Sequence, residues 1–158
     1  MPLSYLNLDA AARELMIAEI ELDIAAGRLY LSAWLGPAGQ EAYPALLQQA
    51  AESFDETWLA GEILTGGWLA AGVEASAAQT LAEGEFNRFY IRALCRRAIE
   101  TGAQLVTYRA KLPEIPRAAA EHRVGQVLDP QSLLAALREA AWNSPLLKPG
   151  TGLTVQLI

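Results

Sequence analysis

The chain has 158 residues, 53% of them hydrophobic and 19% charged, which excludes wholesale disorder and is long enough for one buried core. Its net charge of −6 argues against a dedicated nucleic-acid binder. No apolar run reaches the roughly 18 residues that read as a membrane span, MPLSYLNLDAAARE lacks the basic-then-apolar pattern of a secretory leader, and the single Cys95 rules out an internal disulfide; a cytoplasmic protein or an intracellularly assembled particle is expected.

Asn7 is placed to cap a helix over LDAAARELMIAEIELDIAAG, with Asp9 near its positive end and Gly27 as its stop. Helical spacing puts Ala11, Leu15, Ala18 and Leu22 in one apolar stripe and Ile17, Ile20 and Ile24 in a second. Glu14, Glu19, Glu21 and Asp23 fall between the stripes. Two stripes imply two packing partners, one being the core and the other a second element or a neighbouring subunit.

RLYLSAW (28–34) reads as a short strand or extended connector. After the Gly36-Pro37 break, PAGQEAYPALLQQAAES reads as a helix, with Pro44 kinking it or opening its main part. Asp55 is a cap for DETWLAGEIL, which Gly66-Gly67 ends. WLAAGVEA is expected to be extended, with Ser76 capping the next helix.

That helix, about 76–101 and stopped by Gly102, carries the most informative pattern of the chain. It is apolar nearly all round, as a core or interface helix is. Yet Arg88, Arg92 and Arg96 follow one another at four-residue spacing along one ridge. Buried guanidiniums require partners, because unpaired buried charge is very costly.

QLVTYRAKL then alternates with strand period. LPEIPRAAA, with two prolines, is expected to be an extended surface segment. HRVGQVL reads as a short strand, and Asp129-Pro130 starts a helix over PQSLLAALREAA. NSPLLKPGTG reads as a turn-rich loop, and LTVQLI as a closing strand that completes the chain's own sheet or lends hydrogen bonds to a neighbour. The whole reads as one α+β domain over 1–158. It is helix-rich, with the long central helix and a small sheet of about four short strands.

Charge is unevenly divided. Residues 1–75 hold two arginines against eleven acids, a net of −9, and residues 76–158 hold ten basic residues against seven acids, a net of +3. The halves can neutralise each other within one fold, identical subunits can meet acidic to basic, or the basic half can grip a polyanion. The binding or interface candidates are Arg88, Arg92 and Arg96 on the helix and Tyr108, Arg109 and Lys111 on the following strand. Arg117 and Arg123 extend the same basic run.

Catalytic templates fail on specific residues. His122 is the only histidine, so a histidine metal site lacks a second ligand, and a Ser/His/Asp triad would have to use His122 in a chain with no G-x-S-x-G elbow. Asp55, Glu56 and Glu62, or Glu83 and Glu85, are the acids from which a carboxylate magnesium site would have to be made. Cys95 reads as a buried, inert thiol. GEILTGGW has glycines at phosphate-loop spacing without the Lys-Ser/Thr pair that reaches phosphate and magnesium. VTYRAK has Arg109 where a metal-binding nuclease strand needs an acid. No cofactor and no metal are expected. The expectation is a non-enzymatic structural or assembly protein, a homo-oligomer or a subunit of a shell, virion or mobile-element particle. A nucleic-acid-associated protein or nuclease using the arginine ridge is the alternative.

Overall fold

Capping chemistry sets most helix boundaries, and the arginine-bearing helix sets the architecture. The computed structural model describes residues 3–111, 122–139 and 151–158. Five helices are present among them: α1 (Ala10–Ala25), α2 (Pro37–Ser53), α3 (Glu56–Thr65), α4 (Ser76–Thr101) and α5 (Pro130–Glu139). Three strands accompany them: β1 (Leu105–Arg109), β2 (Val127–Leu128) and β3 (Leu153–Leu157). The α+β class and the 76–101 helix stand as expected.

Aspartates open three of the helices. Asp9 Oδ1 accepts from Ala12 N at 2.8 Å, Asp55 Oδ1 from Trp58 N at 2.9 Å, and Asp129 Oδ2 from Ser132 N at 3.0 Å. Each satisfies an otherwise orphaned amide of the first turn. Pro37 stands in the first turn of α2, where its missing N–H costs nothing. Pro44 is carried inside that helix. Gly102 ends α4 at φ 74°, a left-handed stop open to glycine.

Three expectations are corrected. The cap of α1 is Asp9, not Asn7; the Asn7 side chain instead accepts from Leu157 N at 3.1 Å. Ser76 opens α4 as a helical residue, and no side-chain bond caps that end. Of the two forms expected for 28–34, the connector is the one found; an isolated bridge, Leu35 to Leu69, ties it to the connector after α3. The described sheet therefore has three strands, ordered β2-β1-β3 and antiparallel throughout. LPEIPRAAA (112–120) and residues 143–150 of the turn-rich loop lie outside the described residues.

β3 completes the chain's own sheet, pairing Leu105 with Leu157 through Arg109 with Leu153. Its outer edge is partly occupied by side chains. Asn87 Nδ2 donates to Leu153 O at 2.9 Å, and Asn7 takes the Leu157 amide. Thr154 Oγ1 bonds the other end of the Asn87 amide. Two backbone groups that an edge strand would offer a neighbour are thus taken.

α4 is the spine. Every residue from Glu85 to Cys95 is buried, and α1, α3, α5 and β3 all pack on it. An ordinary surface helix buries one stripe; α4 is enclosed because elements cover it on several sides. The side of α1 that meets it is Ala12, Met16, Glu19, Ile20 and Asp23. This corrects the two-stripe reading. The inward face contains two acids, whereas Leu22 is 48% and Ile24 40% exposed. The arginines of α4 make inward carboxylates tolerable, a reason absent from the sequence of α1 alone.

Candidate functional site: a buried arginine–carboxylate network

The site is built where α1 crosses α4. Residues 19 and 23 are one turn apart on α1, as 88, 92 and 96 are on α4, so two short ridges of opposite charge meet. Arg92 is fully buried and at the centre. Its Nη1 and Nη2 donate to Asp23 Oδ2 and Oδ1 at 2.8 and 2.9 Å, and its Nε to Glu19 Oε1 at 2.9 Å. The bidentate contact uses the planar fork that only arginine has. The Phe89 ring lies beneath two cations, 4.7 Å from the Arg92 guanidinium carbon and 5.2 Å from that of Arg88.

Glu19 is shared more widely. Arg96 Nη1 reaches its Oε2 at 3.3 Å, and Arg138 of α5 donates to both oxygens at 2.9 and 2.8 Å. Burial by itself would raise the Glu19 carboxyl, but the bonds from Arg138 and the charge of Arg92 outweigh it and hold it below the usual range. The Glu19 bonds in turn raise the Arg138 guanidinium.

Arg88 is differently placed. Its Nε donates to Leu137 O in the last turn of α5 at 2.9 Å. Its nearest carboxylates are longer contacts, Glu85 at 3.6 Å and Asp23 at 3.7 Å. Burial lowers its basicity below that of an ordinary arginine. Glu85 has no hydrogen-bond partner for either oxygen among the described residues. Burial raises its carboxyl to about 7, with Arg88 and Arg92 pulling down and Asp23 pushing up. The nearby Tyr43 hydroxyl is likewise buried without a partner there.

Of the six residues proposed from sequence, this site gathers Arg88, Arg92 and Arg96 and leaves out the other three. The Tyr108 hydroxyl bonds Ser4 O and accepts from Leu6 N, pinning the N-terminal segment. Arg109 Nη1 donates to Thr151 O at 2.9 Å. Lys111 Nζ pairs with Glu83 at 2.8 Å. Arg123 is half-buried in the turn before β2, and Arg117 lies outside the described residues. Sequence reasoning missed Glu19, Asp23 and Arg138 as partners of the ridge, whereas Glu85, one turn before Arg88, was legible as a neighbour of that arginine. The four-residue spacing of Glu19 and Asp23, matching that of the arginines, is the signal that could have found the first two.

The acids considered for a metal are dispersed. Asp55 caps α3, Glu56 accepts from Leu3 N at 2.7 Å, Glu83 holds Lys111, and Glu85 faces Arg88. Among the described residues no group of three or more metal-type side chains converges. Burial raises the Cys95 thiol to about 12, so it is protonated at neutral pH. Chemically, the network is suited to holding α1, α4 and α5 in one register. Comparison with protein-family models, with curated proteins and with solved structures finds no match for this chain.

Proposed function

We propose that this chain is a non-enzymatic assembly protein that associates with copies of itself, as a homo-oligomer or as a subunit of a larger particle. The observation that carries the reading is a group of large apolar side chains left exposed at the end of α1, on both flanks of its buried side, and in the connector after it. Leu22 and Ile24 are 48% and 40% exposed, and Leu31 and Trp34 41% each. Large apolar side chains left at the surface close together in sequence favour burial against another protein. The charged groups support the same reading, because the five cations and the tyrosine first considered for ligand binding already bond carbonyls or carboxylates of their own chain. The nucleic-acid alternative ranks second.

Light scattering across a concentration series, at low and high salt, tests the proposal. The expected result is a species larger than the monomer that persists in high salt, since the contact is apolar, and that Leu22→Glu with Ile24→Lys dissociates without loss of helicity. A monomer at every concentration overturns the self-association reading. Salt-dependent retention of DNA or RNA would restore the alternative.

A further inference from the structure

Arg88 lies between the end of a helix and a buried carboxylate. The last carbonyls of a helix have no partner within it. α5 receives one from outside: the Arg88 Nε, at 2.9 Å from Leu137 O, in a buried contact. The same guanidinium faces Glu85 through Nη1, at 3.6 Å, too long for a hydrogen bond. That Nη1 has no hydrogen-bond partner among the described residues, and neither has either Glu85 oxygen. Donor and acceptor are thus poised but unbonded while the carbonyl holds the guanidinium.

We propose that Glu85 is a proton-operated latch on α5: the neutral carboxyl leaves Arg88 on the Leu137 carbonyl, and the ionised carboxylate draws the guanidinium away and loosens the end of that helix. The surroundings decide the direction. On α4 itself, Arg88 and Arg92 face Glu85; Arg92 is committed to Glu19 and Asp23 by bonds of 2.8 to 2.9 Å. α1 brings Asp23, which opposes a second negative charge. α2 brings the Tyr43 hydroxyl. The Arg138 of α5 is held by Glu19. Among the described residues, the charges named as acting on Glu85 are those of Arg88, Arg92 and Asp23, none of them from α3 or the strands. A buried carboxylate needs donors, and Arg88, with a free N–H and a single short bond to give up, is the group able to move.

Hydrogen exchange of the full chain followed by mass spectrometry tests the latch. Rates are corrected for intrinsic exchange, and residues 45–53 of α2 serve as reference. In the wild type, protection of the α5 amides relative to α2 falls by roughly tenfold between about pH 6 and about pH 8. In Glu85→Gln, which stays neutral, α5 remains protected across the range. Arg88→Lys, which keeps the charge but not the Nε donor, exposes α5 at every pH and loses the step, and it serves alone if the Gln chain does not fold. A wild-type α5 that holds its protection, a fall shared equally by α2, or a wild-type step in either variant overturns the latch.

Discussion

Replacing Arg92 with methionine isolates what the buried network contributes. The side chain keeps its apolar length but loses bonds to Asp23 at 2.8 and 2.9 Å and to Glu19 at 2.9 Å. The two acids then differ. Glu19 retains Arg138 at 2.8 and 2.9 Å and Arg96 at 3.3 Å, so it stays compensated. Asp23, fully buried, retains among the described cations only Arg88 at 3.7 Å. Breaking a buried pair from one side costs about 3–5 kcal/mol, chiefly through the charge left behind. Against a stability of roughly 5–15 kcal/mol that is a third or more of the whole. Most of the cost should therefore reside in Asp23, and Asp23→Asn added to Arg92→Met should recover more than half of it. Asp23→Asn alone should be costly, since it strands part of the Arg92 charge. Urea denaturation followed by circular dichroism, closed as a double-mutant cycle, gives the coupling directly. An Arg92→Met cost below about 1 kcal/mol, or a double variant no better than the single, refutes the reasoning.

Other consequences are simpler to test. Because burial raises Glu85 to about 7 from an ordinary 4.5, the folded state holds its proton longer than the unfolded chain; the stabilisation is full below the unfolded value and is lost as pH rises through the folded one, so Glu85→Gln should gain up to about 3 kcal/mol on wild type by about pH 8 and little at about pH 4, read by urea midpoints. Gly152 has φ +67° and an added Cβ would strike the Lys111 carbonyl, whereas Gly27 has the same φ with open space around it; Gly152→Ala should lower Tm well beyond Gly27→Ala, which costs about 1–2 kcal/mol for the left-handed conformation alone, and equal effects would contradict the packing. Asp55→Ala should cost about 1 kcal/mol through the lost cap of α3, with Asp55→Ser restoring most of it in thermal melts.

The helices were legible because their signals are local. Pro37 in a first turn, Asp55 before DETWLAGEIL, Asp129-Pro130 and the Gly102 stop each act within a few residues, whatever the rest of the chain does. The alternation of QLVTYRAKL and LTVQLI likewise marked two strands, but not that they pair with each other. The ridge of Arg88, Arg92 and Arg96 was legible as a demand for partners, and the acidic first half as their source. Which acids answered was not.

By itself the sequence determined the helix-rich α+β class, the extent of α4 and the need to neutralise charge inside it. Only the tertiary structure decided that α1 turns Glu19 and Asp23 inward and leaves Leu22 and Ile24 in solvent. From the sequence of α1 alone the reverse is expected, because burying two carboxylates without partners costs more than burying a leucine and an isoleucine gains. The sign changes once Arg92 and Arg138, 69 to 119 residues away in the chain, supply bonds to those carboxylates. That compensation is a property of the folded contact between helices, and no window of local sequence contains it.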